Sequence, residues 1–149
     1  MREGGGEMPS AGEQFVRAFE EAWRDPVARF PALFHPEGTL YQQGMERPIA
    51  KGEIGQHTAN VAALLTDQRV DVDRWASRGE DVFIEWTTTA TFHGEAVSWS
   101  GASRFTLRDG LVIEEVAYFD TLPLRARIDP ALRRGDMTAA ALEAASAES

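Results

Sequence analysis

The sequence predicts an α+β domain, with helices first and a meander of long antiparallel strands after them. Two observations carry this. Up to about Asp67 the apolar residues recur at helical spacing, and from Gln68 onward the period falls to two. Beyond that point three short turns, Arg78-Gly79-Glu80-Asp81, His93-Gly94-Glu95 and Arg108-Asp109-Gly110, separate runs of strand length rich in β-branched and aromatic residues.

Residues 1–10 hold Gly4 to Gly6 and Pro9 and read as a flexible leader. Phe15, Val16, Phe19, Ala22 and Trp23 make Glu13 to Arg24 an amphipathic helix. Asp25-Pro26 stops it and starts a second, short one carrying Val27, Phe30, Leu33 and Phe34, with Asp25 as the expected cap. His35-Pro36-Glu37-Gly38 is a turn into a brief strand at Thr39 to Gln43, and a loop with Pro48 and Gly52 leads to a helix of about 15 residues. Four strands follow, at Gln68–Ser77, Val82–Phe92, Ala96–Leu107 and Leu111–Asp120. One domain over 11–128 and an Ala-rich tail over 129–149 complete the organisation.

The chain has 149 residues, 43% of them hydrophobic, which suits one core but not two full domains. A formal net charge of -9 argues against nucleic acid and anionic membrane surfaces, since phosphate binding rests on clustered Lys and Arg. No apolar run reaches membrane-spanning length, and the first residues lack the basic-then-apolar pattern of a signal peptide, so a cytoplasmic protein is expected. Without cysteine there is no disulfide framework and no thiolate nucleophile or metal ligand. The histidines His35, His57 and His93 are scattered, with no carboxylate at ligand spacing, so no metal site is expected. Neither a G-x-S-x-G elbow nor a phosphate-cradling loop is present.

Four segments in order, FHPEGTLY at 34–41, KGEIGQH at 51–57, VFIEWTTTATFHG at 82–94 and RDGLVIEEVAYFD at 108–120, resemble the nuclear-transport-factor-2-like superfamily, and its SnoaL-like branch in particular. The resemblance covers roughly Phe15 to Leu124. It implies a curved, mostly antiparallel sheet wrapped around N-terminal helices as a cystatin-like roll, with a conical apolar cavity, in homodimers. Polyketide cyclases, ketosteroid isomerases, limonene-epoxide hydrolases and pure binding proteins share this architecture, so fold alone does not assign activity.

The resemblance places Asp120 where SnoaL-like cyclases hold their acid/base carboxylate. An aspartate in a dry pocket gains proton affinity and suits proton transfer next to a carbonyl. The other reading is that Asp120 caps the Thr121-Leu122-Pro123 turn. Strand parity frames the choice. Val116, Tyr118 and Asp120 share one face, and Glu115, Ala117 and Phe119 share the other. If the second set is buried, Glu115 is the interior carboxylate and Asp120 lies outside.

His57, at helical offsets from Ile54, Val61 and Leu64, could serve as a second acid/base or be satisfied structurally. Tyr41 could polarise a carbonyl or be a half-buried core residue. Phe34, Trp86, Trp99 and Tyr118 are the expected substrate wall, and Gly101 in mid-strand permits a bend. Glu85, on the face opposite Trp86, is either exposed or paired with Arg104, and the paired reading is favoured. Two family activities are disfavoured. Gln42 stands where ketosteroid isomerases place a basic aspartate, and Thr88-Thr89-Ala90 stands where epoxide hydrolases place an Arg and an Asp. The expected function is a cofactor-free cyclase or isomerase acting on a small apolar carbonyl compound. The alternative is a non-catalytic ligand-binding or dimerisation module of the same fold.

Overall fold

Helix α1 (Ala11–Ala22) begins where Ser10 Oγ accepts the Glu13 N–H at 3.1 Å, satisfying one of the donors a helix start leaves free. Its apolar stripe of Phe15, Val16, Phe19 and Ala22 is buried. The stripe meets the sheet through Phe105, whose ring centroid lies 4.8 Å from Phe15 and 5.5 Å from Phe19. The aromatic contact continues from Phe19 to Trp23, Phe30 and Phe34 at centroid spacings of 6.2, 5.1 and 5.5 Å. This chain ties α2 (Pro26–Arg29) and a 3-10 turn (Pro31–Leu33) to the first strand. Pro26 sits in the first turn of α2 as expected, but the Asp25 side chain makes no cap bond. The computed structural model describes residues 8–128, so the leader is seen only from Met8 and the Ala-rich tail lies outside the described residues.

Six strands form one curved, unclosed sheet in the order β2-β1-β6-β5-β4-β3. They are β1 (Phe34–Gln42), β2 (Ile49–Ala50), β3 (Thr66–Arg78), β4 (Asp81–Phe92), β5 (Glu95–Arg108) and β6 (Leu111–Phe119). Among the described residues only β1 and β6 pair in parallel. With the helices before the meander this is the expected α+β architecture, matching the nuclear-transport-factor-2-like fold.

Alternation gives the sheet two unlike faces. Val82, Ile84, Trp86, Thr88, Ala90 and Phe92 of β4, with Val97, Trp99, Ser103, Phe105 and Leu107 of β5, are buried on the inner face. The outer face carries Thr87, Thr89, Ser98 and Ser100, and leaves Phe83 and Tyr118 half exposed. Glu85 lies on this outer face, and Arg104 pairs with Glu114 at 2.6 Å instead of with Glu85. Arg104 stands opposite Phe83 and Val116, two residues out of register with Glu85, which pairs with Ala102.

Helix α3 (Lys51–Leu64) packs on β1 and buries Ile54 and Thr58. Glu53 in its first turn accepts the Ala50 N–H at 2.9 Å and binds Arg47 at 2.6 Å. That hydrogen bond with Arg47 does most to hold the Glu53 carboxyl at about 2. The Lys51 ammonium donates to the carbonyls of Pro31 and Phe34 and so anchors α3 to the segment entering β1.

Three details differ from the sequence reading. β1 begins at Phe34, because the His35–Gly38 stretch is an irregularity within the strand and not a turn before it. The two-residue β2 was not expected. The expected Thr121-Leu122-Pro123 turn, capped by Asp120, leads directly into a helix, α4 (Leu122–Ile128). The described residues divide into two units, one ending at Phe119 and the other beginning at Asp120, so α4 belongs to the second.

Gly101 is a point of close approach between β5, β6 and the Trp86 ring. A Cβ there would lie 2.5 Å from the Tyr118 carbonyl oxygen, 2.6 Å from Phe119 Cβ and 2.8 Å from Trp86 Cζ2. Gly101→Ala is expected to destabilise the fold by about 1–3 kcal/mol in urea unfolding, as overpacking does. Stability equal to that of the parent would show that β5 and β6 can separate there without cost.

Candidate functional site

Strand β6 reaches the inner face with a carboxyl group. Along β5 and β6 the register runs Leu107↔Val112 and then Thr106↔Glu114, so Ile113 is an extra residue in β6. The bulge shifts the parity by one. Val112 is buried before it, and Glu115 and Ala117 are buried after it. Glu115 is 4% exposed and lies beside Phe105 of β5 and Leu40 of β1, both fully buried. Desolvation by this apolar surrounding pushes its carboxyl up to about 8, and a hydrogen bond from Ser103 opposes the rise. Ser103 Oγ in turn accepts the Trp86 indole N–H at 3.0 Å.

Among the described residues, the buried side-chain atoms without a hydrogen-bond partner are Trp23 Nε1, His57 Nε2 and Glu115 Oε2. Such atoms are costly, because folding strips their water without replacing it. His57 lies one turn after Ile54 on α3 and is half-buried. Burial holds its imidazole below the usual histidine range, so the ring is neutral at neutral pH. Its neighbour Thr58 is satisfied within the helix, donating to the Ile54 carbonyl at 2.8 Å.

The structure separates the residues that the sequence reading grouped. Phe34, Trp86 and Trp99 are buried, and Trp86 and Trp99 share the inner face with Glu115. Tyr41 pairs with Val116 and so lies on the face opposite Leu40 and Glu115, as does the half-exposed Tyr118. Asp120 is exposed, and its Oδ1 accepts the Leu122 N–H at 2.8 Å, which is the turn-capping reading. The expectation that Asp120 faces a greasy interior is therefore corrected. The bulge at Ile113 brings the Glu115 set inward instead. Ser103 was missed as a functional residue, although a lone hydroxyl between Gly101 and Phe105 on an aromatic face was a legible signal.

A pocket of about 280 Å³ opens elsewhere, between α1 (Gln14, Ala18), the 3-10 turn (Ala32, Leu33) and the β5–β6 turn (Gly110, Leu111). It contains none of the candidate residues. Among the described residues no group of three or more His, Asp or Glu side chains is arranged to hold a metal ion, and no helix is long and apolar enough to cross a membrane.

Solved structures share the architecture at low identity. A nuclear-transport-factor-2-like protein from Burkholderia thailandensis superposes with a TM-score of 0.71 at 16% identity, covering 83% of this chain and 100% of that one. A protein of ketosteroid isomerase-like fold from Catenulispora acidiphila, solved with trimethylamine, gives 0.69 at 18%, covering 76% and 90%. An epoxide hydrolase of the limonene-epoxide-hydrolase-like kind from Mycobacterium tuberculosis gives 0.64 at 18%, covering 80% and 96%. At these identities the likeness shows the fold alone. No curated protein matches the chain. The family model described as the SnoaL-like domain matches residues 13–115, which include both Ser103 and Glu115 and most of the chain, and this protein therefore belongs to the SnoaL-like domain family.

Proposed function

We propose that this SnoaL-like protein binds a small, apolar, carbonyl-bearing molecule and transfers protons on it, with Glu115 as the acid/base group. The observation that carries the reading is a carboxyl buried among apolar side chains with one oxygen, Oε2, left without a partner. Burial is expensive for a carboxyl that only supports the fold, and perturbed carboxyls of this kind mark functional sites. A carboxyl near 8 is mostly protonated at neutral pH, yet keeps a usable ionised fraction. It can donate to a carbonyl oxygen in one form and take a proton from the adjacent carbon in the other. The reaction class is cofactor-free isomerisation or cyclisation. Trp86, Trp99 and Phe34 supply apolar surface, and neutral His57 is the second polar contact. The homodimer expected for this architecture belongs to the same proposal, and the mass in solution is its check.

The test is exchange of carbonyl-adjacent protons into D2O for a panel of apolar cyclic ketones, followed by proton NMR. The protein is expected to accelerate exchange, with Glu115→Gln losing about 100-fold or more, the usual weight of a positioned acid/base group. Exchange by Glu115→Gln at the parent rate would reject the assignment. Asp120→Asn is expected to leave the rate unchanged, since that side chain only caps a turn.

Stability should report the same carboxyl. Between about 4.5, the ordinary value, and about 8, the folded state keeps a proton that the unfolded chain has released. Folding stability contributed by the protonated group is thus complete below the lower value and lost as pH rises towards the upper one, at about 1.4 kcal/mol per pH unit at most. Urea unfolding across this range should show the decline in the parent and its absence in Glu115→Gln. Parallel curves would place the Glu115 pKa in the ordinary range.

A further inference from the structure

The buried carboxyl does not stand alone on the inner face. Trp86 of β4, Ser103 of β5 and Glu115 of β6 come from three adjacent strands and are all buried on the inner face, and the Trp86 indole donates to Ser103 Oγ at 3.0 Å. We propose that Trp86 and Ser103 are positioning residues: the indole N–H occupies the Ser103 oxygen and directs the serine's own proton onto Glu115, leaving Oε2 to give and take the working proton. This rests on the reading of Glu115 as the acid/base group and specifies which of its oxygens works and what holds it.

The direction of the line follows from donor and acceptor inventory. An indole can only donate, so the 3.0 Å contact fixes Ser103 Oγ as its acceptor. The serine hydroxyl then has one proton to place. Giving it to the carboxyl satisfies every polar atom of the three side chains except Oε2. Accepting a second proton from the carboxyl would leave the serine proton with no acceptor. Oε2 is buried without a partner, so Oε1 is the oxygen to which the Ser103 proton is assigned.

The indole is held in place from two sides. Its Cζ2 edge lies 2.8 Å from where a Cβ on Gly101 would sit, so only glycine lets the ring lie across β5 at that point. The Phe119 ring packs against it at a centroid distance of 5.8 Å. Trp86 is thus fixed by packing, and its N–H is aimed before any ligand arrives, which is the economy of a preorganised site. The chemistry this selects is a neutral hydrogen-bond acceptor. A carbonyl oxygen can receive the Oε2 proton, whereas a ligand carboxylate would have to give up the water around its charge to enter the same apolar surrounding.

The measurement is a carbon-13 titration of the side-chain carboxyls in protein labelled at glutamate, with Glu115→Gln to assign the late-titrating signal. In the parent, that signal should titrate near 8. Ser103→Ala removes a donor to the charged form, so the midpoint should move upward by about one unit. Ser103→Thr keeps the hydroxyl and should restore the parent value, which loss of packing alone would not do. Trp86→Phe keeps a ring but frees the serine oxygen, and should move the midpoint in the same direction by less. An unmoved midpoint in Ser103→Ala overturns the proposal while leaving Glu115 as the acid/base group. The absence of any late-titrating carboxyl in the parent overturns that underlying reading instead.

Discussion

One extra residue in β6 decides what this sheet presents to its interior. In an uninterrupted strand, burial of Val112 would carry Glu114, Val116 and Tyr118 inward with it, because side chains alternate strictly. Ile113 breaks the count, and Glu115 and Ala117 take the inner positions instead. The neighbouring strand accommodates the slip. Between Phe34 and Thr39 the parallel partner β1 has its own irregularity, and Gly38 brings its backbone against the Val112 carbonyl, where a Cβ would come within 2.5 Å. Phe34 and Leu40 nevertheless both stay buried. The two irregularities are coupled, since straightening either would misplace an apolar residue on the other.

The cost of this arrangement falls on one ionisable group. A carboxyl among Phe105 and Leu40 is held protonated by desolvation, and Ser103 and Trp86 compensate part of the loss. The remaining apolar contacts are strong enough to bear it. The aromatic sequence from Phe105 through Phe15, Phe19, Trp23 and Phe30 to Phe34 links the sheet to both N-terminal helices. The tertiary burial that holds α1 on the sheet is therefore continuous with the surface that desolvates Glu115. Stability and site electrostatics arise from the same packing.

The outer face follows a different logic. There Arg104 pairs with Glu114 at moderate exposure, and the Thr87 hydroxyl donates to the Asp73 carboxylate and bonds the Ser100 hydroxyl. Exposed pairs of this kind contribute little to stability and keep the face soluble. The contrast between a satisfied outer face and an inner face with orphaned polar atoms is what directs attention to Glu115 and His57 and away from Asp120.

Periodicity and turn chemistry alone were enough to determine the three helices before the meander, the four long strands and their antiparallel order, because hydrophobic spacing and Asp-Gly or His-Gly turns are local properties. The resemblance carried by the four ordered segments reached the same family as the domain match. Parity also reduced the acid/base question to Glu115 or Asp120. It went no further, because a bulge is set by the pairing of β6 with β5 and β1, and no pattern within residues 111–120 announces it. For Tyr41 the choice between a ligand contact and a half-buried position was left open for the same reason: which way a strand residue points depends on its register with neighbours distant in sequence. The trio of Trp86, Ser103 and Glu115 likewise exists only once three strands are side by side. The sequence by itself determined which residues could do chemistry, and only the tertiary structure decided which were stripped of water.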